Sequence, residues 1–225
     1  MPVVDPSPPA GADRSPLTEA IEAIAGDVLR MLGLVSEATD LARLALVEQD
    51  ASAAERCIAG DAEVDRMQAE LEMRILTVIA RRQPAASDLR FLGGSYIALH
   101  DIERAGDYAE HVAKAALDLA KEPPLKRYLD LGRCFEVLIE MLAATMQAYA
   151  EADARAAREA HAMDQEVDDL YEQIQRELLT YMMESPAAIG RANRLLEVAR
   201  YLERLGDHIE NVNEHVVFWL TGERM

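Results

Sequence analysis

The chain is poor in cysteine: Cys57 and Cys134 lie far apart and form no C-x-x-C pair. Neither a disulfide framework nor a thiolate zinc site is suggested by that spacing, and a reducing compartment fits. No stretch approaches the roughly 20 apolar residues of a membrane span, and the N-terminus lacks a basic segment followed by an apolar one. A cytoplasmic protein without membrane insertion is expected. Positive charge is also scarce, with 23 Lys and Arg against 41 Asp and Glu and a formal charge of −18. Such a surface repels phosphate backbones over a Debye length, so nucleic acid is not an expected partner. A Gly-rich phosphate loop, a Ser-His-Asp arrangement and an activated Cys-His pair are all missing, which argues against a nucleophilic enzyme.

What the sequence does contain is apolar residues in helical order. Half of the 225 residues are hydrophobic, enough for a real core in one large domain or two small ones. The acidic excess offers the anionic oxygens that hard cations need, although a solvated acidic surface accounts for the total equally well.

Residues 1–14 hold Pro2, Pro6, Pro8, Pro9 and Gly11 with few large apolar groups. They cannot recover their ordering entropy by burial and read as a flexible tail. Ser15-Pro16 then places a capping side chain before a proline at the first helical position, and Ile21, Ile24, Val28, Leu32 and Val35 continue with helical spacing. Ser52-Ala-Ala-Glu55 has the form of a capping box opening a second helix, and Pro84 with Ser87 marks the passage to a third, which Pro123-Pro124 ends. Three more helices are expected, from about Lys126 to Tyr149, from about Asp153 to Met183, and from Ser185-Pro186 to Trp219. The fold class is all-α, with six helices and no credible strand.

The two halves repeat each other. Asp61-Ala-Glu-Val-Asp65 recurs 103 residues later as Asp164-Gln-Glu-Val-Asp168, and Glu103-Arg-Ala-Gly-Asp107 recurs 100 residues later as Glu203-Arg-Leu-Gly-Asp207. This is an internal duplication, and its slight change of offset is easiest to place at a turn beside Pro84 or Pro186. Residues 15–122 and 123–225 are expected to form tandem three-helix bundles; one continuous six-helix array is the alternative.

On the last helix Leu195, Val198, Leu202, Leu205, Ile209, Val212, Val216 and Trp219 form an apolar stripe. Glu203 and Glu210 follow a member of it by one residue, Asp207 and Glu214 by two, and the four line a second stripe beside it. The third helix repeats this with Ile102, Ala105, Ala109, Val112, Ala116 and Leu119 beside Glu103, Asp107 and Glu110. On the second and fifth helices Asp61 with Asp65, and Asp164 with Asp168, flank Val64, Met67, Leu71, Ile75 and Val167, Leu170, Ile174, Leu178. Asp65 lies 19 residues before Pro84 and Glu103 lies 19 after it, so an antiparallel hairpin brings them level, and Asp61 comes opposite Asp107. Asp168 and Glu203, 18 before and 17 after Pro186, match in the same way.

Each half thus gathers four carboxylates at one height. Like charges so placed destabilise a fold unless a cation or protonation relieves them, and no lysine occurs within the motifs. Arg104 and Arg204 follow the glutamates but point about 100° away, so they either flank the acids or serve the opposite face. A bound metal is the more economical relief. Oxygen ligands favour Mg²⁺, Mn²⁺, Ca²⁺ or iron over zinc, and bridging carboxylates allow a multinuclear cluster. His100, His111 and His208 are near enough in sequence to add nitrogen, though a lone helical histidine is more often a surface or packed residue. Gly106 and Gly206 each cost about 1 kcal/mol in a helix interior relative to alanine, so a close approach is expected there, either for helix crossing or for the site.

D-x-E-V-D before a long helix, the P-x-x-S-D-L-R turn from Pro84 to Arg90 and E-R-x-G-D in both halves together resemble the PhoU family, over about Leu17 to Leu220. The resemblance implies duplicated three-helix bundles whose E/D-x-x-x-D motifs bind metal, here Asp61, Asp65, Glu103, Asp107, Asp164, Asp168, Glu203 and Asp207. It implies no enzymatic activity. The implied role is negative regulation of phosphate uptake and of the phosphate-starvation response, through the ATPase of the phosphate ABC transporter and the phosphate-sensing histidine kinase. A homodimer is expected. The family's frequent H-A-x-N-I after G-D is matched by His208-Ile-Glu-Asn211-Val212 but replaced in the first half by Tyr108-Ala-Glu-His111-Val112, so the first site is expected to differ in its ligands. Arg90 has no counterpart in the second turn and receives no ligand role.

Two other readings compete. A ferritin-like carboxylate di-metal protein needs E-x-x-H on two helices, and the chain contains none. A metal-independent helical scaffold differs by its indifference to chelation.

Overall fold

The computed structural model describes residues 15–225; the expected tail, residues 1–14, lies outside the described residues. The helices are α1 (Pro16–Val47), α2 (Ala51–Arg82), α3 (Ala86–Leu119), α4 (Leu129–Glu151), α5 (Ala154–His161), α6 (Asp164–Glu184) and, after a 3-10 turn at Pro186–Ala188, α7 (Ile189–Thr221). No strand occurs among the described residues. The expected six-helix plan holds, with the fifth helix in two pieces. At Ala162-Met163 the ladder tightens: the Met163 N–H donates to Ala160 instead of to the residue four back, and Asp164 starts a fresh helix.

Local chemistry accounts for most helix ends. Ser15 Oγ accepts from the Thr18 N–H at 3.2 Å with Pro16 at the first helical position. The cap of α2 is Asp50, not Ser52 as the capping-box pattern suggested. Gln49 adopts a left-handed conformation (φ 57°) that turns Asp50 back, and the Asp50 carboxylate accepts from the Ser52 and Ala53 N–H groups at 2.9 and 3.1 Å. The second repeat has the same turn 103 residues on. Ala152 is left-handed (φ 52°), and Asp153 accepts from Arg155 and Ala156 at 2.8 and 3.1 Å. The changed offset falls at the following hairpin turn, since α7 begins 14 residues before Glu203 and α3 begins 17 before Glu103.

Helices α1, α2 and α3 pack on one another, and α4 to α7 form the second group. The expected stripes face inward: every named stripe residue of α2, α3 and α7 is buried, as are Val167, Ile174 and Leu178 on α6, with Leu170 partly so. The two groups pack against each other. The most extensive helix pairing is α3 with α7, supported by α1 against α4. Arg90 Nε donates to Trp219 O at 3.1 Å near one end of the seam, and Tyr108 stacks on Tyr201 near the other, so α3 and α7 run antiparallel. At Gly94 a Cβ would stand 3.3 Å from His215 O, which marks how closely the backbones approach.

No helix among the described residues is long and apolar enough to cross a membrane.

Candidate metal centres

Each α-hairpin brings three of its four expected acids together. Carboxylate oxygens of Asp61 and Asp65 on α2 and Asp107 on α3 lie within 4.8 Å of one another, and those of Asp164 and Asp168 on α6 and Asp207 on α7 do the same. Glu103 and Glu203 stand outside these groups of three but near enough to feel them. Burial, and then the charges of Asp107 and Asp65, raise the Glu103 pKa; burial and Asp207 raise that of Glu203.

The innermost acids carry the largest strain. Burial, then Glu110, Asp65, Asp107 and Glu103, push Asp61 up to about 6. Burial, then Glu210, Asp168, Asp207 and Glu203, push Asp164 up to about 7. Both centres therefore resist full ionisation unless a proton or cation joins them. Asp164 is 4% exposed and its Oδ1 has no hydrogen-bond partner; Glu103 Oε2 is buried and equally without one. Unsatisfied, anionic and convergent oxygens fit a hard cation. Gly206 completes the second centre, because a Cβ there would overlap Asp164 Oδ1. At Gly106 the nearest neighbours of a Cβ are Val64 and Val35 at 3.5 and 3.6 Å, an ordinary contact. Close approach to the site thus explains one glycine of the pair.

The arginines flank the acids. Arg104 pairs with Asp107, and Arg204 reaches Asp207 and Glu203, each at 3.4 Å. Of the three candidate histidines, His100 is exposed and 3.9 Å from Glu103. His111 packs its ring near Tyr108 and Tyr201. The ring of His208 stacks on Tyr108 and its Nδ1 lies 2.8 Å from Asp101.

Other residues enter that the motif spacing did not assign. Glu110 and Glu210 head the charges acting on Asp61 and Asp164; their place on the acid stripe, three residues after the motif aspartates, was the available signal. His161 lies 3.4 Å from Glu210 and sits one helical turn before Asp164, a spacing that could have drawn attention to it. Asp101 had no such signal. It accepts from His208, Asn211 and His215 of the other repeat, and no local pattern announces a contact more than 100 residues distant. The seam has an approximate two-fold relation: moving 100 positions along the chain turns the Asp101–His208 pair into Tyr201–Tyr108, whose rings stack at 6.0 Å. One copy of the contact is ionic and the other aromatic. Neither cysteine joins the two groups of acids, and burial first of all pushes both thiols up to about 12.

A family model described as the PhoU domain matches residues 28–116 and again 131–216. A phosphate-specific transport system accessory protein PhoU homolog from Deinococcus radiodurans is 43% identical over 211 residues, covering 94% of this chain and 99% of the relative. A homolog of the same name from Aquifex aeolicus is 40% identical over 92% of this chain and 94% of its own length. Among solved structures, PhoU from Pseudomonas aeruginosa superposes with a TM-score of 0.89 at 33% identity, covering 92% of this chain and all of that one. PhoU from Streptococcus pneumoniae gives a TM-score of 0.86 at 27% identity, covering 93% and 99%.

Proposed function

This chain belongs to the PhoU family, and from that premise we propose that it is a metal-binding, non-enzymatic regulator of phosphate homeostasis in the cytoplasm, restraining phosphate uptake and the starvation response by contact. The observation that carries the reading is that similarity to accessory proteins of the phosphate-specific transport system runs through both repeats and nearly the full length of the relatives. The partners proposed are the transporter ATPase, the phosphate-sensing histidine kinase and a second copy of the chain.

Asp61, Asp65, Glu103 and Asp107 would hold metal in the first repeat, and Asp164, Asp168, Glu203 and Asp207 in the second. A bound cation, of the Mg²⁺, Mn²⁺, Ca²⁺ or iron class, supplies positive charge where burial and mutual repulsion disfavour ionised carboxylates. The chain's own residues do the rest. The core stripes hold the acids level across each hairpin, and Gly206 leaves room for the Asp164 oxygen. Arg104 and Arg204 steady the outer aspartates. The acidic face, less repulsive once metallated, together with the exposed helix surfaces forms the docking surface in this reading.

The test joins elemental analysis of the full chain, before and after chelation, with phosphate uptake in cells whose own copy is deleted. At least one ion per repeat, and restored restraint of uptake by the wild type but not by a chain carrying Glu203→Gln and Asp207→Asn, is expected. A metal-free protein, or full restraint by that variant, would remove the metal from the mechanism. Failure of the wild type to restrain uptake would remove the phosphate role.

A further inference from the structure

Each hairpin end leaves large apolar side chains outside the core. Leu76 and Leu89, on either side of the turn between α2 and α3, and Leu179 and Ile189, on either side of the turn between α6 and α7, are all between 45% and 48% exposed. They are the same positions of the duplication. Leu179 lies 103 residues after Leu76 and Ile189 lies 100 after Leu89, the offsets of the acid motifs. A single exposed leucine is ordinary on a protein surface, whereas the same pair left open in both repeats points to something that covers it.

Charge distinguishes the two ends. Arg81 and Arg82 stand in the last turn of α2, exposed and paired with no acid among the described residues. The residue 103 positions after Arg81 is Glu184, which closes α6 and is likewise exposed and unpaired. Cations suit the C-terminal end of a helix dipole and an acid opposes it, so helix stability accounts for the arginines but not for Glu184. One end is apolar and positive, the other apolar and negative. They complement each other and not themselves.

Within one chain the two ends cannot meet. Along the seam Arg90 reaches Trp219, Asp101 reaches His208 and Tyr108 stacks on Tyr201, so each residue gained along α3 matches one lost along α7. Ile189 is therefore level with Ala120, 31 residues or about 46 Å along the α3 axis from Leu89. Two copies laid antiparallel would make the contact twice and in register, because each spans the same distance. A single contact would instead propagate into an open chain, whereas the closed pair gains its second contact intramolecularly. The charge of −18 on each chain opposes association through the rest of the surface.

We propose that the α2–α3 hairpin end of one copy docks on the α6–α7 hairpin end of a second copy, twice per closed pair, with Leu76 and Leu89 against Leu179 and Ile189 and Arg81 facing Glu184. This rests on the reading that a second copy of the chain is a partner.

The test is sedimentation velocity of the full-length chain over a range of concentrations, with circular dichroism of every variant to verify the fold. The wild type is expected to form a pair and nothing larger. Leu179→Asp with Ile189→Asp should weaken the pair, and so should Arg81→Glu alone or Glu184→Arg alone, each by about tenfold or more in Kd, because like charges or buried carboxylates then meet at both contacts. An equal mixture of the Arg81→Glu chain and the Glu184→Arg chain should pair again, since each supplies the charge that the other lacks. These charge changes fall on exposed side chains at helix ends and leave the core intact, so they decide the matter even if the leucine and isoleucine changes harm folding.

A pair that none of the variants weakens, or a mixture that stays apart, overturns the contact while leaving the second copy as a partner. Growth beyond two copies overturns the closed arrangement. A wild type that remains single at every concentration removes both the contact and the second copy, and leaves the phosphate role to the uptake assay.

Discussion

Asp101 Oδ1 and His208 Nδ1 meet at 2.8 Å across the seam between the repeats, and His215 and Asn211 bind the same carboxylate. Burial opposes the Asp101 charge, but the bonds from His208, His215 and Asn211 outweigh it and hold the carboxyl well below the usual range. Asp101→Ala leaves two imidazoles and an amide without their acceptor. A loss of about 2–4 kcal/mol is expected, read as a lower urea midpoint at unchanged slope. Because the folded pKa is depressed, this contribution is complete above the unfolded value of about 3.9 and fades as pH falls through the folded one. The deficit of the variant should therefore shrink only in strong acid.

The metal-free chain should show the opposite dependence near neutrality. Asp61 and Asp164 have folded pKa values raised to about 6 and about 7, so between roughly pH 4 and 7 the folded state binds more protons than the unfolded one. Stability then falls as pH rises through this window. Chelated protein is expected to melt at a higher temperature at pH 5.5 than at pH 8, and Asp164→Asn should flatten the difference. A melting temperature that rises toward pH 8 would show that the carboxylates are relieved by some other means.

Gly106→Ala and Gly206→Ala should separate helix propensity from site geometry. At Gly106 the methyl group meets valines at ordinary distance, and a gain of up to about 1 kcal/mol is expected. At Gly206 the methyl group displaces the Asp164 carboxylate, so metal content of the second centre should drop at least tenfold while the circular dichroism of the helices is retained. Elemental analysis and thermal unfolding of the two variants side by side provide the check.

Metal removal is expected to destabilise the wild type by mass action, by about 2.7 kcal/mol when the free ion was held at a hundred times its dissociation constant. In the chain carrying Glu203→Gln and Asp207→Asn, the loss on chelation should be smaller and helix content unchanged. Differential scanning calorimetry with and without chelator measures both.

Periodicity made much of this architecture legible. The stripe residues from Leu195 to Trp219 recur at helical spacing and are buried, and the acids one or two positions later line up because successive helical residues differ by a fixed angle. Counting from Pro84 and Pro186 set the height of the acids, because rise per residue is constant along a helix. Asp50 was less legible than Ser52-Ala-Ala-Glu55, since its capping role depends on the left-handed turn at Gln49. The break at Ala162-Met163 left no Gly or Pro to mark it.

By itself the sequence determined the features that short-range geometry dictates: six helical stretches, the face each buries, the duplication and an acid cluster within each half, of which the structure draws in Asp61, Asp65 and Asp107, and Asp164, Asp168 and Asp207, and leaves Glu103 and Glu203 outside. Only the tertiary structure decided which groups attend those acids from elsewhere. The pairing of α3 with α7 ties Asp101 to His208, the fit of α6 on α7 leaves Asp164 Oδ1 against Gly206, and the packing of α5 on α7 brings His161 to Glu210. Such contacts depend on how whole helices cross and where a helix breaks, and neither is written in the spacing of residues along one helix.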